Sequence, residues 1–162
     1  GADYGKGFSL TDHTGAPRTL ADFKGKAVTL FFGFTQCPDV CPTNLLTMTE
    51  VMRLLGPNAE RTQVLFMTVD PERDTPEVVG DFAHNMHEKM IGLTGSPEQV
   101  QAASQAYRTY YKKQDSEDEF YLVDHSTFTY LVLPEQGFVE FFRRDVTPED
   151  MAEKSACFID KL

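Results

Sequence analysis

The sequence has no stretch of 18 apolar residues, so no segment of the 162 printed residues is expected to span a bilayer as a helix. Lysine and arginine are also scarce, 15 against 25 acidic residues. The formal net charge of −10 therefore argues against sequence-independent nucleic-acid binding, which needs basic side chains to neutralise phosphates. It also disfavours an anionic membrane surface, whereas a cation or a basic partner would be attracted.

Cysteine is scarce too, with three residues in the chain. One close pair plus a single cysteine cannot form a disulfide scaffold, so the fold must rest on its hydrophobic core. A composition of 41% hydrophobic and 25% charged residues is typical of a soluble globular protein. The length predicts a single domain over residues 1–162. No signal peptide is visible, so we expect any native anchor to lie outside the printed residues.

Apolar runs separated by turn-forming residues predict the order of the secondary structure elements. Strands are predicted at Phe8–Leu10, Arg18–Leu20, Ala27–Phe34, Val64–Val69, Ile91–Leu93, Phe120–Val123, Thr127–Leu133 and Phe138–Phe142. Helices are predicted at Thr43–Leu55, from Pro76 to about Met86, from Pro97 to Tyr107, and from Pro148 onwards. This order implies an α/β fold: a mixed sheet covered by helices on both faces and preceded by a β-hairpin.

Cys37 and Cys41 are four positions apart, immediately after the buried strand that ends near Phe34. Pro38 and Pro42 are tolerated in a first helical turn, so the pair is predicted at a strand-to-helix junction. The helix dipole and exposed amides there should lower the thiol pKa values. Side chains four apart on a helix lie roughly 5–6 Å apart at Cβ. A disulfide needs some backbone adjustment at that distance, whereas a metal ion fits easily between the sulfurs.

His125 lies beside another apolar run, 84 residues after Cys41. Two thiolates and one imidazole suit a soft, low-coordinate ion such as Cu(I). The same two thiols also suit a thiol–disulfide centre, and the residues alone do not choose between these interpretations.

Several segments together resemble the Sco (SenC) family, membrane-tethered copper-binding proteins of cytochrome oxidase assembly with a thioredoxin-like fold. They occur in the order and spacing of the family over roughly residues 20–145. The matching segments are Gly33–Thr35, Cys37-Pro38-Asp39-Val40-Cys41-Pro42, Val69-Asp70-Pro71-Glu72-Arg73-Asp74-Thr75-Pro76-Glu77, Ile91-Gly92-Leu93-Thr94-Gly95, Tyr110-Tyr111 and Val123-Asp124-His125-Ser126.

The resemblance implies that Cys37, Cys41 and His125 bind copper, as Cu(I) or Cu(II). It also implies a metallochaperone that helps to assemble the CuA site of cytochrome c oxidase. Its partners would be the CuA-bearing subunit and, further, another copper chaperone or a thioredoxin-like reductant. The implied location is the periplasmic or extracytoplasmic face of the inner membrane, with the N-terminal tether outside this chain. Asp70 and Asp124 match acidic positions of the family motifs.

The alternative is a thiol–disulfide oxidoreductase, with a role in oxidative-stress defence. It would use Cys37 and Cys41 as its redox pair and would not need His125. Whether the protein is an enzyme is therefore left open by the sequence. A peroxidase is the weakest hypothesis, because it needs a lone cysteine of low pKa with a nearby arginine.

Four further residues have a possible role. Cys157, beside Phe158 and Ile159, is expected to be a small buried hydrophobic residue. Arg73 is expected to pair with a neighbouring carboxylate and shape the loop after a strand. His84 and His87 share a helix face and could bind a metal weakly, although a solvent-facing helix end is the favoured interpretation.

Overall fold

A computed structural model describes residues 8–35, 40–107, 111–113, 123–125, 129–135, 137–143 and 146–160. Its strands are β1 (Ser9–Thr11), β2 (Pro17–Thr19), β3 (Ala27–Gly33), β4 (Thr62–Thr68), β5 (Ile91–Leu93), β6 (Tyr111–Lys113), β7 (Val123–His125), β8 (Thr129–Leu133) and β9 (Gly137–Phe142). Its α-helices are α1 (Val40–Leu55), α2 (Pro76–Met86), α3 (Pro97–Ala106) and α4 (Pro148–Ile159). Short 3-10 helices cover Leu20–Phe23 and Gly56–Arg61.

The main sheet has five strands in the order β5-β4-β3-β8-β9. Strands β3, β4 and β5 are parallel, whereas β8 runs antiparallel to β3 and β9 runs antiparallel to β8. Every residue of β3 is buried, as is expected of a central strand that is apolar on both faces. The predicted mixed sheet and its central strand are therefore confirmed.

Helices cover both faces of this sheet. On one face, Phe31 of β3 packs against Phe66 of β4, and Phe66 contacts Phe82 of α2 at a ring-centroid distance of 5.1 Å. On the other face, Phe32 of β3 contacts Tyr107, the residue that follows α3, at 6.0 Å. Neighbouring residues of a strand point to opposite faces, so Phe31 and Phe32 anchor the two hydrophobic layers.

Three helices start as their sequences predict. The side chains of Thr75, Ser96 and Thr147 each accept a hydrogen bond from the amide three residues on, and proline occupies the next position in each case. Helix α1 is longer than predicted, since it begins at Val40 rather than Thr43. Within the described ranges, no helix is both long and apolar enough to cross a membrane.

The predicted N-terminal hairpin is confirmed, with Leu10 of β1 opposite Arg18 of β2. The carboxylate of Asp12 fastens its turn by accepting hydrogen bonds from the Thr14 amide (2.9 Å), the Thr14 hydroxyl (2.6 Å), the Ala16 amide (3.2 Å) and Arg18 Nε (2.8 Å). The hairpin is joined to the main sheet by two backbone hydrogen bonds.

These bonds form a bridge between Thr11 and Thr94, the residue after β5. The Thr11 amide donates to the Thr94 carbonyl at 2.7 Å, and the Thr94 amide donates to the Thr11 carbonyl at 2.9 Å.

Two sequence-based expectations differ from the structure. The predicted strand Phe120–Val123 overlaps β7 at Val123 alone, and residues 120–122 lie outside the described part of the chain. Strand β7 instead continues to His125, where it pairs with β6, a strand that the sequence analysis did not predict.

The expectation that Cys157 is buried is wrong: its side chain is exposed. The buried residues of α4 are Met151, Ala152, Ser155 and Ile159, spaced by three or four positions on one face. Cys157 comes two positions after Ser155 and therefore points away from that face.

Candidate metal centre

The cysteine pair follows β3, which ends at Gly33. Cys37 lies outside the described residues, as do all of residues 36–39. Cys41 is the second residue of α1, which confirms the predicted strand-to-helix junction on the side of the second cysteine.

His125 is the last residue of β7, which pairs antiparallel with β6 so that His125 lies opposite Tyr111. Strand β8 begins at Thr129, only four residues further along the chain. In the pairing of β3 with β8, Thr129 lies opposite Phe31, near the end of β3. Strand β8, which follows His125, therefore begins at the end of the sheet where β3 finishes and the chain continues to the cysteines.

A buried aspartate links the carboxyl ends of two strands at this end of the sheet. The carboxylate of Asp74 accepts hydrogen bonds from the Thr35 amide (2.9 Å), the Thr35 hydroxyl (2.6 Å) and the Thr68 hydroxyl (2.7 Å). Thr35 follows β3 and Thr68 ends β4, so one side chain ties together the ends of two parallel strands. Because Thr35 is two residues before Cys37, the network fixes the backbone that leads into the cysteine pair.

Burial raises the pKa of Asp74 above its ordinary value, and hydrogen bonds from Thr35 and Thr68 offset this only in part. The nearby carboxylate of Asp70 acts in the same direction as burial. Asp74 is 1% exposed, so water contributes almost nothing to the stability of its ionised form.

The loop from Asp70 to Asp74 is shaped by an ion pair between Asp70 and Arg73. The pair is largely shielded from water, since the Arg73 side chain is 12% exposed and that of Asp70 4%. The Arg73 guanidinium also lies over the ring of Phe34, with its central carbon 5.7 Å from the centroid. The expected ion pair of Arg73 is confirmed, and Asp70 is engaged in holding the loop beside the end of β3.

The joint role of Thr35, Thr68 and Asp74 is not predicted from the sequence. A signal was available: both threonines stand at the carboxyl ends of predicted neighbouring strands, where polar residues of parallel strands meet. What the pattern does not reveal is which nearby carboxylate they share. Asp74 comes within one matched segment that also contains Asp70, so spacing alone does not separate the two.

The family model for SCO1/SenC matches residues 1–160. "Protein SenC" of Rhodobacter capsulatus is 44% identical over 161 residues, covering 99% of this chain and 73% of that protein. "Protein SCO2 homolog, mitochondrial" of Mus musculus is 44% identical over 149 residues, or 90% of this chain. The chain spans 58% of the length of this mouse relative.

Among solved structures, Arabidopsis thaliana ScoI with copper bound superposes with a TM-score of 0.89 at 38% identity, covering 98% of this chain and 99% of that chain. The thioredoxin-like fold with an N-terminal hairpin is thereby confirmed. The chain belongs to the SCO1/SenC family. Proteins of this family are involved in the copper assembly of cytochrome c oxidase, and several solved structures of family members contain bound copper.

Proposed function

We propose that this protein is a copper metallochaperone that binds the ion through Cys37, Cys41 and His125 and delivers it to the CuA-bearing subunit of cytochrome c oxidase. The observation that carries the proposal is the register of β3 and β8, in which Phe31 lies opposite Thr129. The cysteines follow β3, and His125 precedes β8 by four residues. The topology therefore supports convergence of all three proposed metal ligands at one end of the central strands.

The donor set fits the cargo. Thiolates retain Cu(I), while imidazole tolerates both oxidation states of copper. A site with two sulfurs and one nitrogen leaves a face open, through which an acceptor protein takes the ion by ligand exchange. The net charge of −10 favours capture of a cation.

The surrounding contacts favour a preformed approach to the cysteine pair. Asp74 holds Thr35, and Arg73 covers Phe34, so these two residues, which precede the cysteine pair in the sequence, have little freedom. His125 is placed by the pairing of β7 with β6 rather than by the main sheet.

The proposed location and partners rest on membership of the SCO1/SenC family. We place the protein on the extracytoplasmic face of the inner membrane, held by a tether outside the printed residues. The oxidase is its acceptor, and a second copper chaperone or a thioredoxin-like reductant supplies copper or electrons. One domain over residues 1–162 stays a prediction.

The test is an anaerobic Cu(I) titration against a competing chromophoric chelator, repeated with Cu(II). We expect one Cu(I) per chain, lost when either Cys37 or Cys41 is replaced by serine. His125→Ala should weaken Cu(II) binding by at least about a hundredfold, because loss of an outer-shell partner of a metal ligand already costs 10–100-fold. Cys157→Ser is the matched control and should bind copper like the parent protein, because this exposed thiol is on α4.

Unchanged Cu(II) affinity in His125→Ala would show that the imidazole is not a ligand. In that case, brisk reduction of insulin by the copper-free protein would favour the thiol–disulfide oxidoreductase.

A further inference from the structure

Two histidines from distant parts of the sequence meet outside the cysteine region. His13 comes from the turn between β1 and β2, and His84 from the last turns of α2. Their ring centroids are 5.2 Å apart and their ring planes are inclined by 61°. Both side chains are exposed to solvent.

The contact depends on a glycine. A Cβ atom at Gly80 would lie 2.3 Å from Cβ of His13, a distance that real Cβ atoms do not reach. Gly80 is one helical turn before His84, so it lets the turn approach α2 beside that imidazole. The turn itself is fixed by the hydrogen bonds to Asp12, which hold the residue next to His13.

We propose that His13 and His84 form a second metal site, which takes divalent copper. An ion about 2 Å from one nitrogen of each ring lies roughly 3.2 Å from each centroid, which puts the centroids roughly 4.5–5.2 Å apart at ligand angles of 90–110°. The observed separation matches this value. Neutral imidazole suits divalent first-row ions, and Cu(II) binds such ligands most tightly among them.

Water completes the coordination of this ion. In the described part of the chain, no third histidine, cysteine, aspartate or glutamate joins the pair to make a metal-binding group. The Asp12 carboxylate is occupied by Thr14, Ala16 and Arg18. The site is therefore open and labile, and the negative charge of the chain supports ion capture.

The pair is separate from the cysteine region. Helix α2 packs beside β5, at one edge of the sheet, whereas β3 is two strands away in the order β5-β4-β3. The proposal therefore goes beyond the proposed function and does not rest on it.

His87 offers an internal control. It follows α2 as its C-cap, and its ring Nδ1 accepts a hydrogen bond from the Lys89 amide at 3.1 Å. Its distance from His84 along the sequence suits a shared helix face, yet the ring that His84 contacts is that of His13. A site built on the helix alone would need His87, whereas the proposed site needs His13.

The test uses the full chain with all three cysteines replaced by serine and His125 by alanine. Three imidazoles then remain of the four in the sequence. Cu(II) is titrated against this background by calorimetry, and electron paramagnetic resonance reports the number of coordinated nitrogens. We expect one Cu(II) bound by two imidazoles. His13→Ala and His84→Ala should each weaken binding by about tenfold or more, with little further loss in the double variant, because the two ligands act as a pair.

His87→Ala should bind Cu(II) like the background. Full affinity in His13→Ala would identify the contact as ring packing only and would overturn the proposal. A loss in His87→Ala equal to that in His84→Ala would overturn it as well. Because the background lacks every proposed ligand of the cysteine site, either failure leaves the proposed function untouched.

A second variant separates geometry from ligand identity. Gly80→Ala keeps both imidazoles but pushes the turn away from α2, so it should reduce Cu(II) affinity about as much as removal of one histidine. In the unsubstituted protein, Cu(II) added beyond the first equivalent, which the cysteine site takes up, should selectively broaden the NMR signals of both imidazole rings. Unbroadened signals at either ring would contradict the proposal even if the background variant fails to fold.

Discussion

Two buried aspartates, Asp12 in the hairpin turn and Asp74 beside the ends of β3 and β4, both hold the backbone in place through hydrogen bonds to their carboxylates. The pKa values of the two carboxyl groups are shifted in opposite directions. Each is at most 2% exposed and accepts at least three hydrogen bonds. Burial alone would raise the pKa of Asp12, but hydrogen bonds from Thr14 and Arg18 and from two backbone amides lower it well below its ordinary value. Burial raises the pKa of Asp74, and its donors do not reverse that shift.

The difference lies in the partners. Asp12 has a guanidinium that donates to its carboxylate at 2.8 Å, and its other donors come from residues two to four positions away. The donors to Asp74 are neutral, and Thr35 is 39 positions away in the sequence. The negative charge of Asp12 in the turn is thus well stabilised by its partners, whereas burial disfavours the negative charge of Asp74, whose hydrogen bonds join distant parts of the sequence.

The largest loss of stability is expected for Asp74→Ala. It would leave the Thr35 amide and two hydroxyls without their acceptor in a buried place, so we expect a loss of about 2–4 kcal/mol in the free energy of unfolding. If the proposed function holds, Cu(I) affinity should also fall by about tenfold, because Asp74 holds Thr35, two residues before the proposed ligand Cys37. Urea unfolding and chelator competition measure the two effects.

Asp12→Ala should have the next largest effect. Its donors lie near the surface and can turn to water, so we expect a loss of about 1–2 kcal/mol despite the charged partner. Cu(I) affinity should stay unchanged, since the hairpin is joined to the far side of the sheet at Thr94. An equal fall of Cu(I) affinity in both aspartate variants would show that general stability, rather than the position of Thr35, governs binding.

The smallest expected effect is a difference in pH dependence. The stabilisation from Asp12 should be complete above the ordinary carboxyl pKa of about 4 and should be lost as the pH falls below it. For Asp74 the pH dependence of stability has the opposite sign, because its carboxyl group binds a proton more tightly in the folded protein than in the unfolded chain. Its contribution should weaken as the pH rises from about 4 through the raised folded pKa.

Urea unfolding of the parent, Asp12→Asn and Asp74→Asn between about pH 3 and 7 measures both slopes. The difference between the parent and Asp12→Asn should shrink at the acid end. The difference between the parent and Asp74→Asn should instead change above about pH 4, with the parent losing its relative advantage. Parallel slopes for the two variants would contradict the distinction between the two sites.

The sequence predicts most of the main sheet because its strands are long apolar runs. The predicted strand Ala27 to Phe34 differs from β3 by one residue. The predicted strand Thr127 to Leu133 contains all of β8, and its first two residues lie outside the described part of the chain. Helix starts are also predicted well, since a threonine or serine before proline satisfies free amides locally. These features depend on neighbouring residues, which the sequence displays directly.

The missed features depend on residues that are far apart. Strand β6 has three residues, Tyr111 to Lys113, and owes its form to pairing with β7 rather than to any periodicity. The contact of His13 with His84 spans the hairpin and α2, and the tie from Asp74 to Thr35 spans two strand ends. For the candidate site, the sequence supplies the proposed ligands Cys37, Cys41 and His125, whereas the contacts that hold Thr35 before the cysteine pair become visible only in three dimensions.

The bridge between Thr11 and Thr94 has a consequence for solubility. Strand β5 has three residues and stands at one margin of the sheet, where unpaired amides and carbonyls could recruit a strand from another molecule. By pairing with Thr94 just beyond β5, Thr11 occupies the backbone amide and carbonyl that directly follow this strand. The N-terminal hairpin thereby reduces the number of free backbone groups beside β5 with which a strand of another molecule could pair.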